Sequence, residues 1–462
     1  MLLLCALIPI VKDNVKSKLE SSNYRLIAIS SLVLKLFDLV FLELFTRNLD
    51  VSSLQFGFQK ASSTTLTTWT LTESINFFVN RGSPVYLCLL DLTKAFDHVK
   101  LDSLFQKLSE RIPAIFVRFF IYTYIHQQCY IKWNNINSST FTISNGVRQG
   151  AIASPAFFNL YMDELYNILK ASNLGCTIDS FYYGILGYAD DCSLISPTRQ
   201  GLQCMVDIVK KYCDEYGITI STNADIKKSK TKCIIFNSDH QAENIKLYGV
   251  PLPWVDSWEH LGHVIHRDES PSHDLLQKRG EFIGKVHNLR QELGAVDPKV
   301  FLILTQIYMS SFYGSNLWDL TSASAGRLYS TWNRVIQTTY GLPFDTHRFI
   351  LKELSGRPPL QEILQKRFSK FCQQIENSKR PEVIHLFHKQ KYDTRSTFGR
   401  NYRSVFISQP ELVDYITPDN EKWKINVIKE LIDVRDGRAT VSNIPAEDAK
   451  SILMRLTRTE NF

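Results

Sequence analysis

Two adjacent aspartates, Asp190 and Asp191, are the residues of this sequence whose types and spacing most directly indicate chemistry. They separate two short apolar segments, residues 181–186 and 192–196, that predict β-strands. Carboxylates this close disfavour each other's ionisation unless a cation neutralises them. A tight turn would present both at one sheet edge, where a divalent cation such as Mg²⁺ finds the oxygen ligands that it prefers. Taken alone, an Asp-Asp pair is more often a solvated turn, because aspartate favours turns.

A third carboxylate belongs to Asp91, near the end of another apolar segment, residues 85–92, which predicts a buried strand. Asp97 follows shortly after it. If this strand neighbours the strand around Asp190, then Asp91 meets Asp190. Three carboxylates could hold two metal ions about 3.5–4 Å apart, a geometry that activates a hydroxyl for attack and stabilises a leaving phosphate oxygen. The sequence therefore predicts a two-metal site.

The elements that must position these carboxylates follow a regular order. From residue 85 to 236 the chain predicts strand–helix–strand–strand–helix–strand, which is a ferredoxin-like arrangement. Such a sheet holds side chains at its strand ends rigidly, which suits a catalytic platform. From about residue 272 the pattern changes to long helices, so we expect boundaries near residues 270 and 377.

Other segments also have clear patterns. Residues 31–49 and 155–172 predict helices with one apolar face, and Pro155 suits the first turn of the second helix. Residues 130–143 predict a hairpin. The apolar residues 1–10 predict a buried strand, because this run is too short to span a bilayer and no basic region precedes it.

Composition limits the class of protein. The chain has 462 residues, of which 44% are hydrophobic and 21% are charged, so we expect a folded protein with a sizeable core. A net charge of +7 is compatible with a polyanionic partner without requiring one. None of the nine cysteines lies at C-x-x-C spacing, which indicates reduced thiols and neither a disulfide framework nor a zinc site. We therefore expect an intracellular, soluble protein with no membrane partner.

Several blocks of the chain resemble, in order, those of the reverse transcriptases of non-long-terminal-repeat retrotransposons, the long interspersed element class. The resemblance covers residues from about 8 to 265, and weaker similarity continues to about residue 372. The blocks are residues 23–25 with Ile27 and Lys35, residues 55–58, 91–97 (DLTKAFD), 145–155 (NGVRQGAIASP), 188–191 (YADD) and 230–236, and residues 260–262. Ordered blocks are far more specific than any one motif.

This resemblance implies an α+β fold of the right-hand polymerase class, with fingers, a ferredoxin-like palm and a helical thumb. The fingers are expected at 1–84 with parts of 105–145, the palm at 85–270 and the thumb at 271–376. Residues 377–462 form a basic C-terminal extension of unknown role.

The resemblance also implies the residues of the catalytic centre. Asp91 and Asp190 would bind two Mg²⁺ ions, for which Mn²⁺ could substitute, with Asp191 in support and Leu92 in the metal site. Lys230 would lie near the leaving pyrophosphate as a proton donor. The alternative, an ordinary solvated lysine, stays open for Lys230.

A second implied set of residues binds the incoming nucleotide. Phe96 would lie under its sugar, where a ring clashes with a 2′-hydroxyl, although Phe96 could instead be a core residue. Gln149 would contact the nucleotide, and the glycines Gly146 and Gly150 would allow close backbone approach. Arg25 and Lys12 would hold the triphosphate, with a solvated surface lysine as the alternative for Lys12. The chain departs from the family at Leu26, Gln59 and His260, none of which is a metal carboxylate.

The implied function is RNA-directed DNA synthesis, with an RNA template, a DNA primer and dNTPs as partners, in the nucleus and in a cytoplasmic ribonucleoprotein. No endonuclease domain is recognised before the polymerase blocks, and no cysteine follows Cys372 to form a zinc knuckle. Alternatives remain: a catalytically idle RNA-binding remnant, and an intron-encoded maturase. A zinc site is also conceivable at four histidines, His260, His263, His266 and His273.

Overall fold

The computed structural model describes residues 3–13, 17–223, 228–238, 243–309 and 311–407. It divides into two compact units. The first contains residues up to 261 with 267–269 and 378–386, and the second contains 262–266, 270–377 and the described residues from 387 onward. Of the C-terminal extension expected at 377–462, residues 408–462 lie outside the described part. The bounds proposed for fingers, palm and thumb stay a prediction.

Among its described residues up to 261, the first unit contains a four-stranded sheet, a five-stranded sheet and six α-helices, besides small strand pairs and one short 3-10 helix. Its elements are β1 (Leu4–Val11), β2 (Tyr24–Ile29), α1 (Leu32–Phe45), α2 (Thr64–Val79), β3 (Val85–Thr93), α3 (Leu101–Ser109), α4 (Ala114–Ile125), β4 (Gln128–Trp133), β5 (Ile136–Asn137), α5 (Ser154–Ala171), β6 (Thr177–Ile178), β7 (Phe181–Tyr182), β8 (Ile185–Tyr188), β9 (Asp191–Ser196), α6 (Arg199–Tyr216), β10 (Thr219–Ile220), β11 (Lys232–Phe236), β12 (Lys246–Leu247), β13 (Val250–Pro251) and β14 (Ser257–His260).

The five-stranded sheet, called the central sheet below, has β3 in its middle. β9 pairs with one edge of β3 and β8 pairs with β9, while β10 and β11 pair with the other edge of β3. Leaving aside β10, the order across the sheet is β11, β3, β9, β8. In the predicted arrangement these are strands four, one, three and two, respectively. All these pairings are antiparallel, so the ferredoxin-like order is observed and the predicted α+β class is confirmed.

Local chemistry explains why these elements begin and end where they do. β3 is apolar and buried over most of its length, as expected for a strand covered on both faces. α5 has proline in its first turn, where a missing N–H costs nothing. α6 is capped at its N-terminus by Thr198, whose hydroxyl accepts a hydrogen bond from Gly201 N at 3.0 Å, and at its C-terminus by Gly217 with φ +72°.

The predicted hairpin at 130–143 and the helices at 31–49 and 155–172 are observed, with bounds shifted by a few residues. The N-terminal strand is also observed, but the prediction that it is buried is wrong, because only Cys5 and Leu7 of β1 are buried while Leu4 and Ile10 are exposed. The predicted strand at 181–186 is wrong in one respect, because the structure divides it. Phe181 and Tyr182 pair locally with β6, and the central sheet is entered only at Ile185. The chain bends at Gly184, where an added Cβ would lie 2.3 Å from the Tyr182 hydroxyl oxygen. Apolar character alone does not reveal such a bend.

The second unit is mainly helical, as predicted. Its elements, with one helix shared between the units, are β15 (His263–His266), α7 (Ser272–Leu293), α8 (Pro298–Met309), α9 (Ala323–Tyr340), α10 (Arg348–Ser355), α11 (Leu360–Glu376), α12 (Pro381–Gln390) and α13 (Thr397–Tyr402). Its core includes Phe282 and Trp332, whose stacked ring centroids lie 5.9 Å apart. Among the described helices of the whole chain, none is long and apolar enough to cross a membrane.

Candidate active site

Three carboxylates meet at one edge of the central sheet. Asp91 on β3 lies directly opposite Asp191 on β9, and Asp190 lies in the two-residue turn that joins β8 to β9. The sequence predicted that Asp91 would meet Asp190, and the negative charge of Asp91 does act on Asp190, while the register adds Asp191 as the residue directly opposite Asp91. The β3–β9 register pairs Asp91 with Asp191, and the β8–β9 register pairs Asp191 with Tyr188 and leaves Asp190 in the turn. All three side chains are half-buried.

The electrostatics of this edge are unfavourable for three bare anions. Burial, together with the negative charges of Asp190 and Asp91, raises the pKa of Asp191 to about 7. Burial and the charge of Asp91 also raise the pKa of Asp190, while hydrogen bonding and the nearby Arg25 oppose this shift. Acids crowded in this way favour a cation that holds them ionised together. The donor set therefore fits a divalent metal ion with oxygen ligands.

Lys230 forms an ion pair with Asp91. Its Nζ lies 3.7 Å from Asp91 Oδ2, and its side chain is largely exposed. An exposed pair at this distance contributes little to stability. Lys230 is therefore available to approach a bound anion, and the structure brings it to the site at which the sequence placed it.

The backbone around Asp91 is fixed by its neighbours on the other side of the sheet. Ser221 N donates a hydrogen bond to Asp91 O at 2.8 Å, and the Thr231 hydroxyl donates to Ser221 O at 2.7 Å. Leu92 pairs with Ile220 on β10, and its side chain is buried. Because a leucine side chain has no ligand atom, only its backbone oxygen could serve the metal role predicted for Leu92.

The turn at 188–191, called the catalytic turn below for the role that we propose, is held by Gln55, a residue whose contacts the sequence did not reveal. Ala189 adopts φ +58°, a left-handed conformation that is uncommon for residues other than glycine. Gln55 Oε1 accepts from Ala189 N at 3.0 Å, and Gln55 Nε2 donates to Ala189 O at 3.2 Å. The Gln55 amide thus stabilises both backbone groups of the strained residue that precedes Asp190. Gln55 is almost fully buried and also donates to the Tyr166 hydroxyl at 3.0 Å.

The backbone beside Gln55 approaches the same turn closely. A Cβ added to Gly57 would lie 2.1 Å from Ala189 N. We expect Gly57→Ala to displace the turn and to lower the free energy of unfolding by about 1–3 kcal/mol, measured by thermal unfolding. The matched control is Gly280→Ala in α7, where an added Cβ would meet no described atom within 4 Å. A Gly57→Ala variant as stable as this control would contradict the close approach.

Phe96 lies in the turn that follows β3 and is half-buried. Its ring stacks on Phe158, with centroids 4.4 Å apart and an interplanar angle of 17°. Phe58 contacts it edge-on at 6.0 Å, and Val147 N donates to Phe96 O at 2.9 Å. The ring is therefore fixed in orientation and keeps part of its surface accessible, as a residue that contacts a ligand requires.

Gln149 and Gly150 lie beside β2. Ala28 N donates to Gln149 O at 2.7 Å, which ties this loop to the four-stranded sheet. Gly150 has φ +107°, and an added Cβ would lie 3.0 Å from Ala28 O. Both the conformation and the space thus favour glycine here. The close approach observed at Gly150 is to protein backbone.

Several cationic side chains lie close enough to act on one another, and two of them, Arg25 and Lys230, also act on Asp190. Burial and then the positive charges of Lys94, Arg25 and Lys230 lower the pKa of Lys12. Arg25 lies opposite Ile10 in the β1–β2 pair, and Lys12 directly follows β1. The sequence identified Lys12, Arg25 and Lys230 but missed Lys94. Its position inside the block at 91–97, three residues after Asp91, was the available signal.

The histidines considered as zinc ligands belong to different units. His260 lies in the first unit, and the other three lie in the second. Within the second unit His266 and His273 stack with ring centroids 3.8 Å apart. His263 stacks on Tyr313 at 4.8 Å, and burial lowers its pKa to about 4, which keeps the ring neutral.

The part of the chain that contains the three carboxylates is similar to a known protein family. The model of a family described as reverse transcriptase (RNA-dependent DNA polymerase) matches residues 11–265. A Pol polyprotein from the type-2 retrotransposable element R2DM of Drosophila melanogaster is 31% identical over 186 residues, which are 38% of this chain and 17% of that protein. A Pol polyprotein from the type-1 retrotransposable element R2 of Nasonia vitripennis is 27% identical over 194 residues, 40% of this chain and 19% of that protein. The matches thus span less than a fifth of either relative.

Among solved structures, one similar chain is a telomerase from Candida tropicalis in complex with a fragment of telomeric RNA. The similarity has a TM-score of 0.42 and 12% sequence identity, and covers 99% of this chain and 64% of that one. A telomerase from Candida albicans gives a TM-score of 0.40 and 12% identity, and covers 89% of this chain and 64% of that one.

Proposed function

The chain belongs to the reverse transcriptase (RNA-dependent DNA polymerase) family, and we propose that it copies an RNA template into DNA by adding dNTPs to the 3′-hydroxyl of a DNA primer. The observation that supports this most directly is the meeting of Asp91, Asp190 and Asp191 at one edge of the central sheet. The positive side chains in front of them supply the charge that a triphosphate needs.

Reverse transcriptases generally use divalent metal ions. We assign Asp91 and Asp190 to hold two Mg²⁺ ions, or Mn²⁺ in their place, with Asp191 in support and the backbone oxygen of Leu92 as a further ligand. The crowding that raises the pKa of Asp191 and Asp190 supports this donor set. When bound, such ions help to ionise the attacking hydroxyl and neutralise charge on the leaving pyrophosphate.

The cationic residues bind and neutralise the triphosphate. Arg25 suits this task because its planar guanidinium can donate two parallel hydrogen bonds to phosphate oxygens. Lys12 and Lys94 add positive charge on the same side, and their mutual repulsion is relieved when an anion binds between them. Lys230, near Asp91, donates a proton to the leaving pyrophosphate.

The remaining assigned residues orient the nucleotide. The fixed ring of Phe96 underlies the sugar and excludes a 2′-hydroxyl by contact. Gln149 contacts the incoming nucleotide through its side chain, since its backbone oxygen is already bonded to Ala28. Gly150 gives the loop the conformation that this placement needs.

A primer-extension assay tests the proposal. Purified protein is given poly(rA)/oligo(dT), dTTP and Mg²⁺ beside a double variant carrying Asp190→Ala and Asp191→Ala. We expect extension by the wild-type chain only. The matched control is Asp102→Ala, which removes an exposed carboxylate in the first turn of α3 and should leave extension unchanged. No extension above the double variant, with RNA binding retained, would refute the enzyme and favour the idle RNA-binding alternative.

A further inference from the structure

Arg380 connects the segment that follows α11 to the residues that hold the catalytic turn. It precedes α12, in a stretch, residues 378–386, that belongs to the first unit. Its guanidinium donates to Ser53 O, to Gln55 O at 3.0 Å and to Ser62 Oγ at 3.1 Å. One side chain thus bonds to three acceptors in the loop between α1 and α2.

The chemistry of these contacts makes them specific for arginine. The guanidinium carbon lies 4.3 Å from the centroid of the Phe56 ring, in a cation–π arrangement. Burial lowers the pKa of Arg380 to about 10, so the group remains charged at neutral pH. Only a planar fork can bond Ser53, Gln55 and Ser62 while lying over a ring, because the compact ammonium of lysine lacks this geometry.

The loop that Arg380 binds is the one that supports the catalytic turn. Leu54 O accepts from Gly187 N at 2.9 Å, and Phe56 N donates to Gly187 O at 2.7 Å. Between these two residues, the Gln55 amide bonds both backbone groups of Ala189. Arg380 therefore fixes the backbone of Gln55 from one side, while the Gln55 side chain fixes the residue preceding Asp190 on the other.

A second contact holds the same segment in place independently. His385 Nε2 lies 2.9 Å from Asp179 Oδ2, and the ring of His385 stacks on Phe181 at 4.4 Å. The Tyr183 hydroxyl donates to Glu382 O at 2.8 Å. Because α12 is attached here as well, loss of the Arg380 guanidinium should not detach the segment.

We propose that Arg380 is a positioning residue for the reaction, which acts through Gln55 to hold the turn at 188–191 in the geometry that places Asp190. The expected change in kcat rests on the proposed function, whereas the expected change in amide exchange does not. Residues 378–386, which follow α11, therefore belong to the first unit and help to position its proposed catalytic residues.

The test compares Arg380→Ala and Arg380→Lys with Lys379→Ala, which removes a neighbouring exposed positive charge. Backbone amide exchange is measured by mass spectrometry or NMR in peptides covering 186–191 and, as an internal reference, α6. We expect Arg380→Ala to accelerate exchange at 187–190 without changing α6, Arg380→Lys to be intermediate, and Lys379→Ala to match wild type. This readout needs no activity, so it decides the positioning role even if the wild-type chain extends no primer.

Kinetics give the second readout. With poly(rA)/oligo(dT), Arg380→Ala should lower kcat about 10- to 100-fold, as expected for a displaced catalytic group, while KM for dTTP changes little. Added millimolar guanidinium should restore part of the kcat, which a misfolded chain would not allow. The proposal would be overturned if Arg380→Ala showed the same amide exchange at 187–190 and the same kcat as the wild type. Equally faster exchange in 187–190 and α6 would also overturn it, because Arg380 would then only stabilise the fold. If Arg380→Ala does not fold, the same two outcomes in Arg380→Lys decide.

Discussion

Asp190→Asn is expected to slow primer extension by about 10³-fold or more. The substitution keeps the shape of the side chain and removes only its charge and one ligand oxygen. Asp190 lies in the turn itself, where the strained Ala189 and the Gln55 amide fix the backbone. A neighbouring carboxylate cannot move to replace it. The measurement is the single-turnover rate of dTTP addition at saturating Mg²⁺.

The three carboxylates should not contribute equally. Asp91→Asn is expected to cost as much as Asp190→Asn, whereas Asp191→Asn should cost less, because we assign Asp191 a supporting role. Each variant should keep its melting temperature in metal-free buffer, since each removes one of three mutually repelling charges. Equal losses of rate in all three variants would contradict the supporting role of Asp191. A loss of rate below tenfold in Asp190→Asn would contradict the assignment of Asp190 to the metal site.

Much of the carboxylate site could be predicted because Asp190 and Asp191 are adjacent in the sequence. The apolar segments on both sides of Asp190 and Asp191 define a hairpin, and a hairpin turn brings adjacent carboxylates to a sheet edge without further information. The resemblance of the ordered blocks to non-long-terminal-repeat reverse transcriptases is confirmed by the family match and by the relatives from R2 elements. The roles of individual residues stay predictions.

What could not be predicted depends on contacts between distant positions. Gln55 bonds a residue 134 positions away, and Arg380 bonds Gln55 across 325 positions. Such pairs produce no periodicity, and the polar residues that form them resemble ordinary surface residues in the sequence. The register that places Asp191 opposite Asp91 could not be predicted either, because it depends on the pairing of β3 with β9, two strands about 100 residues apart in sequence.

Phe96→Val should make the enzyme accept ribonucleotides. The expected effect is a loss of discrimination between dTTP and rUTP of about 100-fold, because a steric clash with the 2′-hydroxyl is a repulsive element whose removal admits the competitor. The kcat/KM for dTTP should change much less. The orientation of the ring supports this magnitude, since Phe158 and Phe58 contact it on two sides and oppose its displacement by an added hydroxyl. The measurement is single-nucleotide addition on poly(rA)/oligo(dT).

Phe96→Tyr is the matched control, because it keeps the ring and should keep the discrimination. The comparison also separates the two interpretations of this residue. If Phe96 only fills space against Phe158, the valine variant should lose stability, as large-to-small core substitutions do, and discriminate as the wild type does. If the ring contacts the sugar, discrimination should fall even in a variant that unfolds at the wild-type temperature. Because Phe96 is half-buried, its truncation leaves a smaller cavity than truncation of the fully buried Phe158 would, so the kinetic effect should exceed the effect on stability.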